Sequence, residues 1–256
     1  MNQLELNSLN NRLREQAMEM GASHYGIADL TSFYTARPKS FEDYGELLTG
    51  VSIIVPENNV LLNGLPLTDD ESRTSHYNIK IALSLQIAGR VREILMEHGF
   101  KAEVLKHPPT KSGPTGLLKG AARLAGLGWI GKNRLLITRD YGPRVCPTLV
   151  MTDAPFTPAA KEMIEPFLDS CGICTRCLQI CPSQAFSYEA FDENNSLDGF
   201  DTGRCAAVRG IINPTGWSAC SLCVQACPFG AGNKDRVPAF HDAFPFLEVI
   251  VSESPL

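Results

Sequence analysis

Leu6, Leu9, Leu13, Ala17 and Met20 recur at the spacing of one helix face, and Gly21 follows where such a helix would stop. HYGIADL (24–30) reads as a strand. TSFYTARPKSFEDYGELLTG (31–50) reads as a loop with a short helical piece, and VSIIVP (51–56) as a second, buried strand. The polar run LPLTDDESRTS (65–75) reads as a loop. The longest helix is predicted over 77–98. Leu83, Ile87, Val91 and Ile94 form its main stripe, broadened by Ile81, Leu85, Ala88 and Leu95, and Gly99 ends it. So wide an apolar surface predicts a helix covered on two sides. KAEVL (101–105) predicts a strand, KHPPTKSGPTG (106–116) a loop and LLKGAARLAG (117–126) a short helix of small residues. RLLIT (134–138) and VCPTLVMTDAP (145–155) predict strands flanking the turn RDYGP, and TPAAKEMIEPFLD (157–169) a capped helix leading into a cysteine-rich segment. Helices and strands alternate, which predicts an α/β sandwich-like domain over 1–165, a loop-rich module over 166–235 and a tail over 236–256.

Composition narrows the class. The 256 residues are 44% hydrophobic and 20% charged, ordinary for a globular protein. The polar N-terminus has no basic and apolar leader, and no apolar run approaches ~18 residues, so neither a signal peptide nor a membrane span is expected. A cytoplasmic setting keeps thiols reduced, so nine cysteines point to metal and not to disulfides. The net charge of −5 argues against a broad nucleic-acid footprint. Residues 101–144 nevertheless carry nine Lys/Arg against Glu103 and Asp140, while from Cys146 onward acids outnumber bases thirteen to six. A basic stretch beside an acidic module suits an anionic ligand or a docked acidic half; an ordinary solvated surface is the plainer reading.

The chemistry lies in the cysteines. Cys171, Cys174, Cys177 and Cys181-Pro182 fit C-x2-C-x2-C-x3-C-P, the bacterial ferredoxin run whose fourth cysteine serves a second cluster. Cys220, Cys223 and Cys227-Pro228 repeat the pattern one ligand short, with Trp217 where a cysteine would stand. Cys205 and Cys146 remain, and Cys205 lies inside the module. The ligand count then closes on two 4Fe–4S clusters. One is held by Cys171, Cys174, Cys177 and Cys227, the other by Cys181, Cys205, Cys220 and Cys223. Paired zinc sites, the chief alternative, use C-x2-C knuckles without cross-donated C-P cysteines. Cys146 reads as a buried structural thiol.

GLGWIGKN (126–133) satisfies G-x-G-x-x-G and nearly a P-loop, yet its context opposes both. A helix-like segment precedes it and a strand follows, and Asn133 stands where a P-loop needs Ser or Thr. Gly126, Gly128 and Gly131, beside Trp129, Lys132 and Asn133, let backbone approach something closely. A tight packed turn and a large flat cofactor are the two readings.

AARLAGLGWIGKNRLLIT, YGPRV followed by VMTDAPF, the isolated Cys205, MGASHYGIADL and VSIIVP together resemble epoxyqueuosine reductase, with related architecture in the reductive dehalogenases. The resemblance implies an N-terminal cobalamin-reductase-like α/β (α+β) domain followed by a bacterial ferredoxin-like module with two 4Fe–4S clusters. It also implies base-off cobalamin against the α/β domain, so residues 126–133 become the candidate corrinoid contact. That family uses an Asp proton donor in a D-x6-R pattern. Here Ser112 and Lys119 stand at those positions, Leu118 replaces a second Asp, and His76-Tyr77-Asn78 replaces Asp-Tyr-His. The family's C-terminal helical repeats, which help grip tRNA, have no counterpart in this sequence.

The expected function is an iron–sulfur oxidoreductase. It would accept electrons from ferredoxin or flavodoxin and pass them through two clusters to a base-off corrinoid that reduces a small substrate under anaerobic conditions. Tyr77, Lys111 and Lys119 are the candidate proton donors. The alternative is a non-enzymatic electron-transfer protein serving a partner's corrinoid or metal centre. Epoxyqueuosine reduction on tRNA ranks below both.

Overall fold

Residues 1–36, 44, 47–57, 70–105, 116–160, 170–187, 199–212 and 220–230 are described by a computed structural model. In chain order its elements are α1 (Gln3–Glu19), β1 (His24–Asp29), α2 (Thr31–Ala36), β2 (Thr49–Pro56), α3 (Asp70–Glu97), β3 (Ala102–Val104) and α4 (Leu117–Leu124). The small strands β4 (Trp129–Ile130) and β5 (Leu136–Ile137) follow, then β6 (Val145–Thr152), α5 (Arg176–Gln179), α6 (Thr202–Ile212) and α7 (Leu222–Gln225). Among the described residues no helix is long and apolar enough to cross a membrane.

The apolar pattern dictates the layers. β1, β2, β6 and β3 form one antiparallel sheet in that order. Side chains alternate across a strand, so β2 sends Val51, Ile53 and Val55 to one face and Ile54 to the other. The first face packs on α1 and α3, where Leu6, Leu9, Leu13 and Ala17 meet Ile87, Val91 and Ile94. The second face packs on α4 through Leu30, Leu149, Met151, Leu117 and Ala121. Helix α1 starts from a capping box, Asn2 and Glu5 each accepting the other's backbone N–H. Gly21, at φ +108°, turns the chain into β1.

Three expectations change. The long helix begins at Asp70, seven residues before the predicted start. Its polar first turns carry no apolar stripe to betray them, and Asp70 and Glu71 suit a helix N-terminus. Strand β5 pairs with β4, not across RDYGP with β6. β6 is instead enclosed between β2 and β3. Residues 157–160 are not helical; the rest of that predicted helix, and most of the 106–116 loop, lie outside the described residues.

The segment between β4 and β6 meets the cysteine segment backbone to backbone. A side chain on Gly142, at φ +56°, would land on the Phe229 carbonyl, and one on Gly230 on the Tyr141 carbonyl. Only glycine admits so close an approach.

Candidate metal centre

Cys171 and Cys174 lie in the turns before α5, Cys177 lies on α5, and Cys227 follows α7. The four line one recess that opens on solvent, together with Lys132, Asn133, Ile137, Pro228 and Phe229. These are the four cysteines that the spacing assigns to the first cluster. Around Cys223 the interacting thiols are Cys220, Cys181, Cys177 and Cys205. Cys177 thus neighbours both groups.

Burial, then Cys227, Cys171 and Cys174, push Cys177 up to about 12. Burial leads again at Cys227, raised to about 11, and at Cys223, raised well above the ordinary thiol value. Four thiolates gathered round one recess repel one another and need positive charge among them, which cluster iron would supply. Among the described residues no three His, Cys, Asp or Glu side chains are drawn together as ligands of a single ion. The four cysteines around the recess are the thiolate donor set that an iron–sulfur cluster takes, and the residues present fit one on that chemistry.

The α/β layer reaches this centre through one segment. Trp129, on β4, donates its indole N–H to Cys171 Sγ at 3.4 Å and meets Phe229 edge to face, centroids 4.8 Å apart. Lys132 Nζ donates to the Gly172 carbonyl, and Asn133 Nδ2 to the Cys223 carbonyl at 3.3 Å. Arg144 is 3% exposed and donates to the Gln225 and Phe229 carbonyls, 3.3 Å each. Burial lowers its pKa, opposed by the charges of Cys227 and Glu57. Sequence reasoning counted Arg144 among the basic residues and gave it no role, because a charge count does not separate a buried guanidinium from a solvated one.

The predicted corrinoid-contact residues have other partners. Gly126, at φ +72°, closes α4, and side chains on Gly128 and Gly131 would strike Ile137 of the paired strand. Trp129, Lys132 and Asn133 engage the cysteine segment. The loop thus offers its glycines to its own hairpin and its side chains to the cysteine segment. Lys111 lies outside the described residues. Tyr77 lies on α3 with a side chain outside them. Lys119, on α4, donates to the Arg134 carbonyl at 2.6 Å, and burial with the Arg134 charge lowers it to about 8. Cys146 is buried in the first core, its sulfur 3.8 Å from the Ser84 hydroxyl.

No family model matches the chain. It is 35% identical over 116 residues to the epoxyqueuosine reductase of Synechocystis sp., covering 43% of this chain and 38% of that protein. It is 32% identical over 153 residues to that of Gloeobacter violaceus, covering 53% and 44%. The chain resembles the epoxyqueuosine reductases. Its matches to these two relatives span less than half their length. The fold agrees with two groups of solved structures. The catabolic reductive dehalogenase NpRdhA superposes with a TM-score of 0.65 at 20% identity, over 94% of this chain and 34% of that one. Epoxyqueuosine reductase from Bacillus subtilis, solved with its catalytic Asp loop swung out of the active site, gives 0.58 at 18% identity, over 92% and 69%. The shared fold is mixed α/β with an antiparallel sheet.

Proposed function

We propose that this epoxyqueuosine-reductase-like chain is an iron–sulfur oxidoreductase that passes electrons through two 4Fe–4S clusters to a base-off corrinoid, which reduces a small substrate. The observation that carries it is the convergence of Cys171, Cys174, Cys177 and Cys227 on one recess. The proposed second set is Cys181, Cys205, Cys220 and Cys223. The proposed organisation is an α/β domain over 1–165, a ferredoxin-like module over 166–235 and a tail over 236–256. Ferredoxin or flavodoxin would be the donor, in the reducing cytoplasm. The corrinoid rests on resemblance: a reductive dehalogenase of this fold is described as B12-dependent. When bound, a corrinoid supplies a metal centre for reductive bond cleavage.

This chain's own groups have definable tasks. Ile137, Pro228 and Phe229 give the recess an apolar lining. Lys132, Asn133 and Arg144 hold carbonyls on both cysteine runs and fix their positions. Lys119, whose pKa burial lowers to about 8, can hold a proton for release. Tyr77 and Lys111 remain the other proposed donors. Ser112 and Lys119, where the family has Asp and Arg, favour the second reading, an electron carrier that serves a partner's metal centre.

Anaerobic protein should contain about eight iron atoms per chain. Cys205→Ala should lose about half of them and one cluster's EPR signal, whereas Cys146→Ala should keep both clusters. Around four irons, or stoichiometric zinc, in the parent protein defeats the reading. Titration with cob(II)alamin then separates enzyme from carrier: binding at tens of micromolar supports the reductase, and none supports the carrier.

A further inference from the structure

We propose that Trp129 sets the reduction potential of the first cluster, by donating its indole N–H to the ligand sulfur of Cys171, with Arg144 adding buried positive charge behind Cys227. The inference rests on the cluster reading above and concerns residues that this reading leaves without an electronic role.

Trp129 is 3% exposed, so its N–H meets little water and its bond to Cys171 Sγ is weakly screened. The indole is held from two sides. The β4–β5 pairing sets Trp129 opposite Ile137, and Phe229 packs edge to face on the ring. Phe229 is in turn tied to the α/β layer by Arg144, through its own carbonyl. The donor is therefore preorganised on the sheet side, not on the cysteine segment it serves.

Adding an electron raises the negative charge on the cluster sulfurs. A hydrogen bond to a ligand sulfur strengthens as that charge grows, so it stabilises the reduced state and raises the potential. A buried guanidinium acts in the same direction. Arg144 is buried and presents its N–H groups to the Gln225 and Phe229 carbonyls on either side of Cys227. The second cysteine group meets this segment differently: Asn133 donates to the Cys223 backbone carbonyl, not to its sulfur. The two clusters are thereby given unequal surroundings by one short stretch of chain, as a directed electron relay requires.

The test is Trp129→Phe, which keeps a ring and removes the N–H, examined by redox titration followed by EPR. The expected result is an unchanged iron content and one cluster, not both, shifted to a more negative potential. A full iron content with both potentials unmoved overturns the proposal and leaves the cluster reading standing. A parent protein without clusters overturns both. If the variant does not assemble, the parent protein with ¹⁵N-labelled indole decides. Trp129 and Trp217 are its two tryptophans. Pulsed EPR of the reduced protein should show an exchangeable proton and an indole nitrogen coupled to a cluster, with the signal retained in Trp217→Phe. Absence of that coupling defeats the proposal.

Discussion

Lys119 is a charge held against the Arg134 carbonyl, with the guanidinium of that same residue nearby. Burial lowers the folded pKa to about 8 from the ordinary 10.5. Below pH 8 both folded and unfolded chains are protonated, and the full cost of the buried ammonium is present. Between pH 8 and 10.5 the unfolded chain holds more protons, so stability should rise with pH over that window. Anaerobic melting curves at pH 7 to 10.5 should show the parent protein gaining on Lys119→Met, which has no such titration. A flat difference would show that the amine is better solvated. The sequence made Lys119 visible only by its place in a family pattern. Burial, the cause of its altered acidity, is a property of the folded surroundings and not of a spacing.

At the scale of elements, the sheet and most of its helices were legible because apolar periodicity records which face is covered. The first turns of α3 were not, since a polar helix start writes no stripe. The β4–β5 hairpin was hidden inside a glycine motif that invited a ligand reading. Tight glycines announce a close approach without naming what approaches. At Gly142 the approaching group is the Phe229 carbonyl, and the residue also sits at φ +56°. Gly142→Ala should cost at least about 1–2 kcal/mol from backbone strain alone. It should also lower iron content, because the turn carrying Cys227 must move. Gly99→Ala is the comparison: φ is +83°, yet nothing lies within 4 Å of the added carbon. It should lower the melting temperature and leave iron content intact. Equal iron loss in both variants would argue that the Gly142 contact does not position the cysteine segment.

For the whole molecule, the spacing wrote down two sets of four cysteines; Cys171, Cys174, Cys177 and Cys227 line one recess, and iron analysis is what tests ligation of both sets. Substrate was far less legible, because it depends on what departs from the family. The relatives are named for epoxyqueuosine, and one has been solved with a tRNA stem loop. Here Ser112 stands at the Asp position and the net charge is −5. A hydroxyl is a far weaker acid than a carboxyl, and losing a general acid typically costs ~10²–10⁴-fold in rate. Phosphate contacts dominate tRNA affinity, which an acidic chain disfavours. Supplied with epoxyqueuosine tRNA, cobalamin and a strong reductant, this chain should form little queuosine by mass spectrometry. Conversion comparable to an authentic reductase would mean that another group, Lys119 among the candidates, delivers the proton.

The cross-donated cysteines have a mechanical side. On the proposed assignment, with Cys171 and Cys227 on one cluster and Cys181 and Cys223 on the other, the two inorganic bodies would be nested cross-links, the inner loop closed within the outer. Loops of this length closed by a covalent link restrict the unfolded chain by roughly 3–5 kcal/mol each. Releasing the inner link lengthens the outer loop to its full span, whereas releasing the outer link leaves the inner loop closed. Oxygen attack on the inner cluster should therefore loosen its neighbour, while the sheet, held by its own two apolar cores, stays folded.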